Sequence, residues 1–350
     1  MTLRRDNGRI LDNEGAADVS IVAIIPLYNG AKWIEQSVRS VLGQTRMPDE
    51  FVVVDDGSSD DGEGVAIVER LQRQYPLITL MRKSNGGQSS ARNLGVARST
   101  SALIAFLDQD DIWYPHHLER LARPFAATPD IPLGWVYSNL DEIDESGGCV
   151  QHAYLDLVPS EHPKRSLAQC LSHDMYVLPS ASLIARGAFE AVGGFDERLI
   201  GYEDDDLFVR MFWAGFDNVY LDERLSQWRI YGASTSFGER MAVSRMIYAR
   251  KLIAMFPQDR APISDWTRDC IVPRFMKGLK ADHRRYWRAG KVKEAARFSA
   301  EMAELVSYLP QKTRVRLTIK LLGTRIRIRA TLPRRLILAL TRLNRVGFAD

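Results

Sequence analysis

Cysteine is scarce in this chain. The 350 residues hold three, Cys149, Cys170 and Cys270, far apart and without a Cys-x-x-Cys pair. That excludes a disulfide framework and a cysteine-rich zinc module, and makes a reducing compartment the default. Long apolar runs are also missing. None approaches the roughly 18 to 20 residues that span a bilayer. The opening stretch MTLRRDNGRILDNEGAADVS is polar and mixed in charge, without the apolar core of a secretory signal. A dehydrogenase would carry Gly-x-Gly-x-x-Gly after its first strand, but PLYNG stands there. The Gly-rich basic loop with which a nucleotidyltransferase would hold its triphosphate is absent too. These gaps predict a cytoplasmic protein, soluble or peripheral on the inner face of the cell membrane.

What is present is an alternation of periods. VAII (22–25), FVVVDD (51–56), ITLMRK (78–83) and ALIAFLD (102–108) are short apolar runs suited to strands buried on both faces. Between them lie helical patterns, the first with Ile34, Val38, Val41 and Leu42 on one side. Strand and helix alternating at this interval predict βαβ units and a mostly parallel sheet. WVYSNLDEI (135–143) reads as a further strand. Residues 173–197 read as a loop, a short strand and a short helix, and 226–236 as a polar loop over the site. From about residue 240 the pattern is helical.

Ligands of such sheets bind beyond the carboxyl ends of the strands. There the chain gathers its polar residues: Pro26, Tyr28 and Asn29; Asp55 and Asp56; Asn85, Gly86 and Gly87; and the knot Asp108-Gln109-Asp110-Asp111. Carboxylates crowded at a strand end repel one another. One reading is a solvated turn with Asp capping the next helix; the other is a site where a divalent cation relieves the repulsion. On an extended strand end Asp108 and Asp110 point the same way and Asp111 the other, unless the chain turns. Two hard oxygens on one face suit Mg²⁺ or Mn²⁺. A second knot, Glu203-Asp204-Asp205-Asp206, opens a helical pattern. Acids favour a first helical turn, and Asp206 with Arg210 makes an (i, i+4) pair.

The blocks VAIIPLYNGAKWIEQSVRSVLGQT, VVVDDGSSD, NGGQSSARNLGVARS and AFLDQDDIWYP, in that order and spacing, resemble the family 2 glycosyltransferases. VGGFDE and GYEDDDLFVRM extend the likeness to about residue 236, roughly 60% of the chain. The resemblance implies a GT-A fold over 20–238, a Rossmann-like α/β architecture. It leaves 1–19 as a tail and 239–350 as a mainly helical, basic extension. It implies a nucleotide-diphosphate sugar donor (a UDP-sugar favoured), a divalent metal, Mn²⁺ or Mg²⁺, and inversion at the anomeric carbon, with a glycan or lipid-linked acceptor. By that likeness Pro26, Tyr28, Asn29 and Asp56 line the nucleoside pocket, Arg92 lies near the nucleotide and Asp108 reaches the ribose. Asp110 holds the metal, with Asp111 the other candidate. Asp204 is the general base, and Glu203, Arg229 and Tyr231 belong to a diphosphate or acceptor region. Where many members carry Arg-x-His, this chain has Arg229-Ile230-Tyr231, so an imidazole ligand is missing. The Gln-x-x-Arg-Trp signature of processive members is not reproduced, which argues for adding one sugar at a time. The alternatives are another nucleotide-binding α/β enzyme, such as a nucleotidyltransferase, or a non-catalytic nucleotide-sugar binder.

The last forty residues differ. Residues 311–350 carry eleven Lys or Arg and one acid, a net +10 against +3 for the chain, which leaves the rest at −7. Apolar residues interleave with these charges over 311–346, as in a segment lying on an anionic membrane surface. Interleaved aromatics are lacking, so stacking on nucleic acid is not expected.

Overall fold

The computed structural model describes residues 19–126, 132–232, 239–256 and 265–309. The basic tail lies outside them. Two compact units divide the chain, Met1–Tyr248 and Ala249–Asp350.

The first unit is built on a nine-stranded sheet. β1 (Ile21–Leu27) is flanked by β2 (Glu50–Asp55) and β4 (Leu103–Phe106), with β3 (Ile78–Arg82) beyond β2. All four run parallel. Every residue of β1 is buried, which is why its sequence is an unbroken apolar run. Three helices connect these strands: α1 (Ile34–Leu42), α2 (Glu63–Gln74) and α3 (Gln88–Ala97). α1 packs Ile34, Val38 and Val41 inward, the helical spacing of one face.

Beyond β4 the parallel expectation fails. The sheet continues through β8 (Ser182–Ala185), β6 (Leu133–Ile143), β9 (Asp217–Arg229) and β5 (Ile112–Trp113), with β7 (Cys149–Gln151) paired to β6. β8 is antiparallel to both its neighbours, and β5 and β7 also pair antiparallel, so half of the sheet is mixed. Short helices α4 (His117–Ala122), α5 (Leu167–Ser172) and α6 (Arg186–Ala191) fill the connections, and α7 (Glu203–Trp213) carries the second acidic knot. β9 corrects the loop expected at 226–236: residues 226–229 are its last turn of ladder, parallel to β6 from Leu133↔Asp217 to Ile143↔Arg229. Register shifts near Ser138 and Asn139 bend this pair.

α8 (Glu239–Met255) follows. The first unit includes the start of this helix, where Ser244 Oγ accepts the Ile200 N–H (3.0 Å) and Tyr248 Oη donates to Asp205 Oδ2 (2.5 Å). In the second unit a π-helical turn, Thr267–Ile271, leads into α9 (Val272–Arg288), and α10 (Val292–Ser307) returns after Gly290 at φ +72°. α9 buries Phe275, Met276, Leu279 and His283; α10 buries Ala295, Phe298, Met302 and Leu305. The helical extension is thus present over 265–309.

Candidate active site

At the carboxyl ends of β1, β2 and β4 opens a cleft of about 710 Å³, wholly within the first unit. Every residue to which the resemblance gives a site role lines it except Asn29. Asn29 instead ties two loops together. At φ +50° its Oδ1 accepts the Ser59 N–H (2.7 Å) while its own N–H donates to Ser58 Oγ (3.0 Å).

The nucleoside side is organised by backbone. Pro26 closes β1 on the cleft wall, and the exposed Tyr28 follows. Tyr28 is held by its main chain: the Gln109 amide accepts its N–H (2.7 Å) and donates to its C=O (3.0 Å). A side chain at Gly30 would press on that same amide and displace it from Tyr28. Asp56 is buried, and its carboxylate accepts from the N–H groups of Gly86 (2.9 Å) and Gly87 (2.7 Å) and from Lys83 Nζ (2.6 Å). It thereby fastens the loop before α3 to the end of β2. A carboxylate offers about four acceptor positions, so a base can still reach it.

The first acidic knot is not a continuation of its strand. β4 stops at Phe106, and residues 108–111 form a turn closed by the Asp111 N–H on Asp108 O (3.1 Å). Side-chain alternation therefore does not govern Asp108 and Asp110. Asp111 turns inward; it is buried, and its Oδ1 takes the Arg229 N–H (2.9 Å). Burial, then the charges of Asp110 and Asp108, push its carboxyl well above the usual range. Asp110 faces the cleft and accepts from Tyr231 Oη (2.9 Å). Burial and Asp108 push it up to about 6, against that hydrogen bond.

Arg229 lines the cleft, with its charge engaged by the chain around it. Its guanidinium is spent on the carbonyls of Asp110 (2.8 Å) and Asp144 (3.0 Å) and on Gln36 Oε1 (2.8 Å), which shapes the acidic turn from behind. Trp33 packs against Tyr231 with the rings tilted by 45° and their centroids 4.6 Å apart, on the residue whose hydroxyl donates to Asp110. No local pattern in the sequence marks Trp33 or Gln109 for these parts.

Arg92 joins the two knots. Buried on α3, it pairs with Asp108 and, at 3.1 Å, with Glu203, which also receives the Gln88 amide. Both partners raise its pKa against the effect of burial. Burial raises Glu203 in turn, opposed by Arg92. Truncating Arg92 strands the buried Glu203, so Arg92→Met should lower stability by roughly 3–5 kcal/mol, the cost of breaking a buried pair. Urea unfolding measures it; a loss within the ~1 kcal/mol of a surface pair would contradict this role.

Asp204 sits in the first turn of α7, half-buried on the cleft wall. Its Oδ1 accepts the Asp205 N–H (2.7 Å), and its other oxygen has no hydrogen bond among the described residues. Burial and the neighbouring carboxylates Glu203 and Asp205 raise its pKa well above the ordinary range. Its neighbours do structural work. Asp205 accepts from the Met175 N–H (2.6 Å) and Tyr248, and Asp206 pairs with Arg210 (2.7 Å), as the (i, i+4) spacing predicts.

A half-parallel α/β sheet with a cleft at its strand ends, walled by two carboxylate clusters, is the GT-A architecture. The model of glycosyl transferase family 2 matches residues 22–193. An uncharacterized glycosyltransferase of Nostoc sp. is 33% identical over 235 residues, which cover 65% of this chain and 69% of that protein. The hyaluronan synthase of Pasteurella multocida is 27% identical over 198 residues, 56% of this chain but 19% of the synthase. Among solved structures, TarS of S. aureus in complex with UDP-GlcNAc superposes with a TM-score of 0.61 at 17% identity, over 84% of this chain and 82% of that one. The chain belongs to glycosyl transferase family 2, and by that membership it is a transferase.

Proposed function

We propose that this chain moves one sugar at a time, with inversion, from a nucleotide-diphosphate sugar to an acceptor hydroxyl. The observation that carries this is that two carboxylate clusters line one cleft: Asp108 and Asp110 after β4, Asp204 at the start of α7. A sugar hydroxyl attacks poorly until its proton is removed, and a positioned carboxylate contributes about 10²- to 10⁴-fold. Asp204 suits that task. Its raised pKa makes it a stronger base than a solvated Asp, and the Asp205 N–H fixes its orientation. Arg92 links the two sides, so that Asp108 and the helix bearing the base keep their spacing.

A divalent cation fits the first knot. Asp110 lies among like charges and is raised to about 6, with the hydroxyl of Tyr231 for company; a cation would relieve that repulsion. Asp110 would hold Mn²⁺ or Mg²⁺, and Asp111, turned onto Arg229 N–H, would support it from beneath. When bound, such an ion stabilises the negative charge that builds on a departing diphosphate. Tyr231 replaces the imidazole of many relatives, and its hydroxyl serves to orient Asp110.

A UDP-sugar is the favoured donor, in keeping with the UDP-GlcNAc bound by TarS. A growing glycan is the favoured acceptor, in keeping with the hyaluronan synthase likeness. The deciding experiment is a donor screen that follows slow hydrolysis of nucleotide sugars with Mn²⁺ or Mg²⁺ and no acceptor. One donor hydrolysed in a metal-dependent way supports the reading. Neither binding nor turnover of any donor removes it.

The acceptor side is proposed to lie at an anionic membrane. No described helix is long and apolar enough to cross one. On α9, however, Lys277, Lys280, Arg284 and Arg288 fall on one exposed face, without a carboxylate within 4 Å among the described residues. Near an anionic leaflet each such residue contributes roughly 1 kcal/mol, and the basic tail at 311–346 adds to them. The full chain should co-sediment with anionic liposomes at low salt and be released at high salt, and a version ending near Pro310 should bind less. Equal sedimentation of both versions, or of neither, removes the tail from this role.

A further inference from the structure

Away from the cleft stands a second cluster that the transfer reaction does not use. Asp141 lies on β6, Cys149 on β7, and His152 three residues further on. Their sulfur, nitrogen and oxygen atoms all lie within 4.8 Å of one another. Cys149 Sγ is 3.3 Å from His152 Nδ1, and that nitrogen is 3.2 Å from Asp141 Oδ1. None of the three lines the cleft.

We propose that Asp141, Cys149 and His152 bind a borderline-soft divalent cation of the zinc class, at a site separate from the donor carboxylates. Donor chemistry is the first support. Thiolate with imidazole and carboxylate selects zinc-like ions over Mg²⁺, which prefers an all-oxygen shell. Geometry is the second. Zinc bonds of about 2.3 Å to sulfur and 2.0–2.1 Å to nitrogen or oxygen, at tetrahedral angles, place the donor atoms roughly 3.3–3.6 Å apart. The two edges at the imidazole, 3.3 and 3.2 Å, are that size, and the third lies within 4.8 Å, so closing the site asks for an approach of sulfur and carboxylate. Asp141 is also well anchored: it is buried, and it accepts from Tyr114 Oη (2.7 Å) and the Ala153 N–H (3.1 Å).

Arg224 is the competitor. Its Nη1 lies 2.8 Å from His152 Nδ1 and 3.3 Å from Asp141 Oδ2, where the cation would sit, but its side chain is 49% exposed. Charge balances in both states. Without the metal, Arg224 neutralises Asp141. With it, the thiol proton passes to solvent, and the dication neutralises thiolate and carboxylate while the guanidinium swings out. The site has a route to the cleft. Ala153, at φ +49° and held by Asp141, precedes Tyr154, which meets Trp228 edge-on at 5.4 Å, and both rings line the cleft. The cation would clip this wall in place.

The test is titration of the full chain with Co²⁺, followed by Zn²⁺ competition against a chromophoric chelator. One equivalent of Co²⁺ should give a thiolate-to-metal charge-transfer band and tetrahedral visible bands, in the wild type and in Asp110→Asn alike. Cys149→Ser, an exposed change that leaves the melting curve in place, should abolish the charge-transfer band. It should also weaken Zn²⁺ by more than the roughly 10- to 100-fold that loss of an outer hydrogen-bond partner costs. Arg224→Ala should tighten Zn²⁺, because it removes the competing cation. A wild type without the charge-transfer band, equal Zn²⁺ affinity in Cys149→Ser, or weaker Zn²⁺ in Arg224→Ala would overturn the proposal.

Discussion

Asp204→Asn is expected to lose transfer and keep its donor. The amide can still accept the Asp205 N–H through Oδ1, so the first turn of α7 is preserved. What disappears is the capacity to take a proton, and the turnover number should fall by about 10²- to 10⁴-fold. Donor affinity in Mn²⁺ should not change, since the base serves the acceptor. An interaction made in the transition state lowers kcat and kcat/KM together and spares ground-state binding. The pH profile adds a second reading. The Asp204 carboxyl is raised, so wild-type turnover should climb with pH as that group loses its proton, and the climb should be missing from the residual activity of the variant. Calorimetry with the nucleotide and a stopped assay over pH separate the outcomes. Lost donor binding would move Asp204 into the donor pocket, and undiminished turnover would leave it as a helix-start acid only.

The parts of this molecule that could be read from its sequence are those whose burial is one-dimensional. β1, β2 and β4 are covered on both faces, so their residues form apolar runs, and α1 shows its buried side at helical spacing. β9 hid for the opposite reason. Its stretch Asp217–Arg229 alternates irregularly between buried and half-exposed, it carries Asp222, Glu223 and Arg224, and register shifts break its pairing to β6. A strand of that kind has no period to detect. The mixed half of the sheet was hidden with it, because β8 is short and its direction is set by partners far away in the chain.

The site shows the same division. The acids and the cleft-lining Pro26 and Tyr28 stood out because they follow strands, where polar residues gather. Their partners did not. Arg92 read as a residue near the nucleotide; in the fold it bridges Asp108 and Glu203, 111 residues apart from the latter in sequence. Arg229 read as part of a diphosphate or acceptor region; in the fold its guanidinium is met by carbonyls that the fold alone assembles. Asn29 read as pocket lining; in the fold it ties two loops, through bonds that depend on Ser58 and Ser59 arriving from the next βα connection.

Asp110→Asn should abolish metal-dependent donor binding, and transfer with it, without loss of stability. In the folded chain Asp110 holds its proton more tightly than a solvated Asp does, because of burial and Asp108. A carboxyl whose pKa is raised on folding favours the fold while it is protonated, at low pH. That contribution is lost as pH rises through about 6. At pH 7.5 the ionised group is therefore a liability that a cation offsets, and the neutral amide removes the liability outright while keeping an acceptor for Tyr231 Oη. The variant should melt no lower than the wild type in chelator at pH 7.5. Added Mn²⁺ should raise the wild-type melting temperature and leave the variant where it was. In the wild type, protons compete with the cation for one oxygen, so Mn²⁺ affinity should fall by up to ~10-fold for each pH unit below about 6. Melting curves over pH with and without Mn²⁺, beside donor titrations, read all three effects. Unchanged donor affinity of Asp110→Asn in Mn²⁺ would remove Asp110 from the metal. A variant that melts well below the metal-free wild type at pH 7.5 would show that its charge supports the fold instead of burdening it.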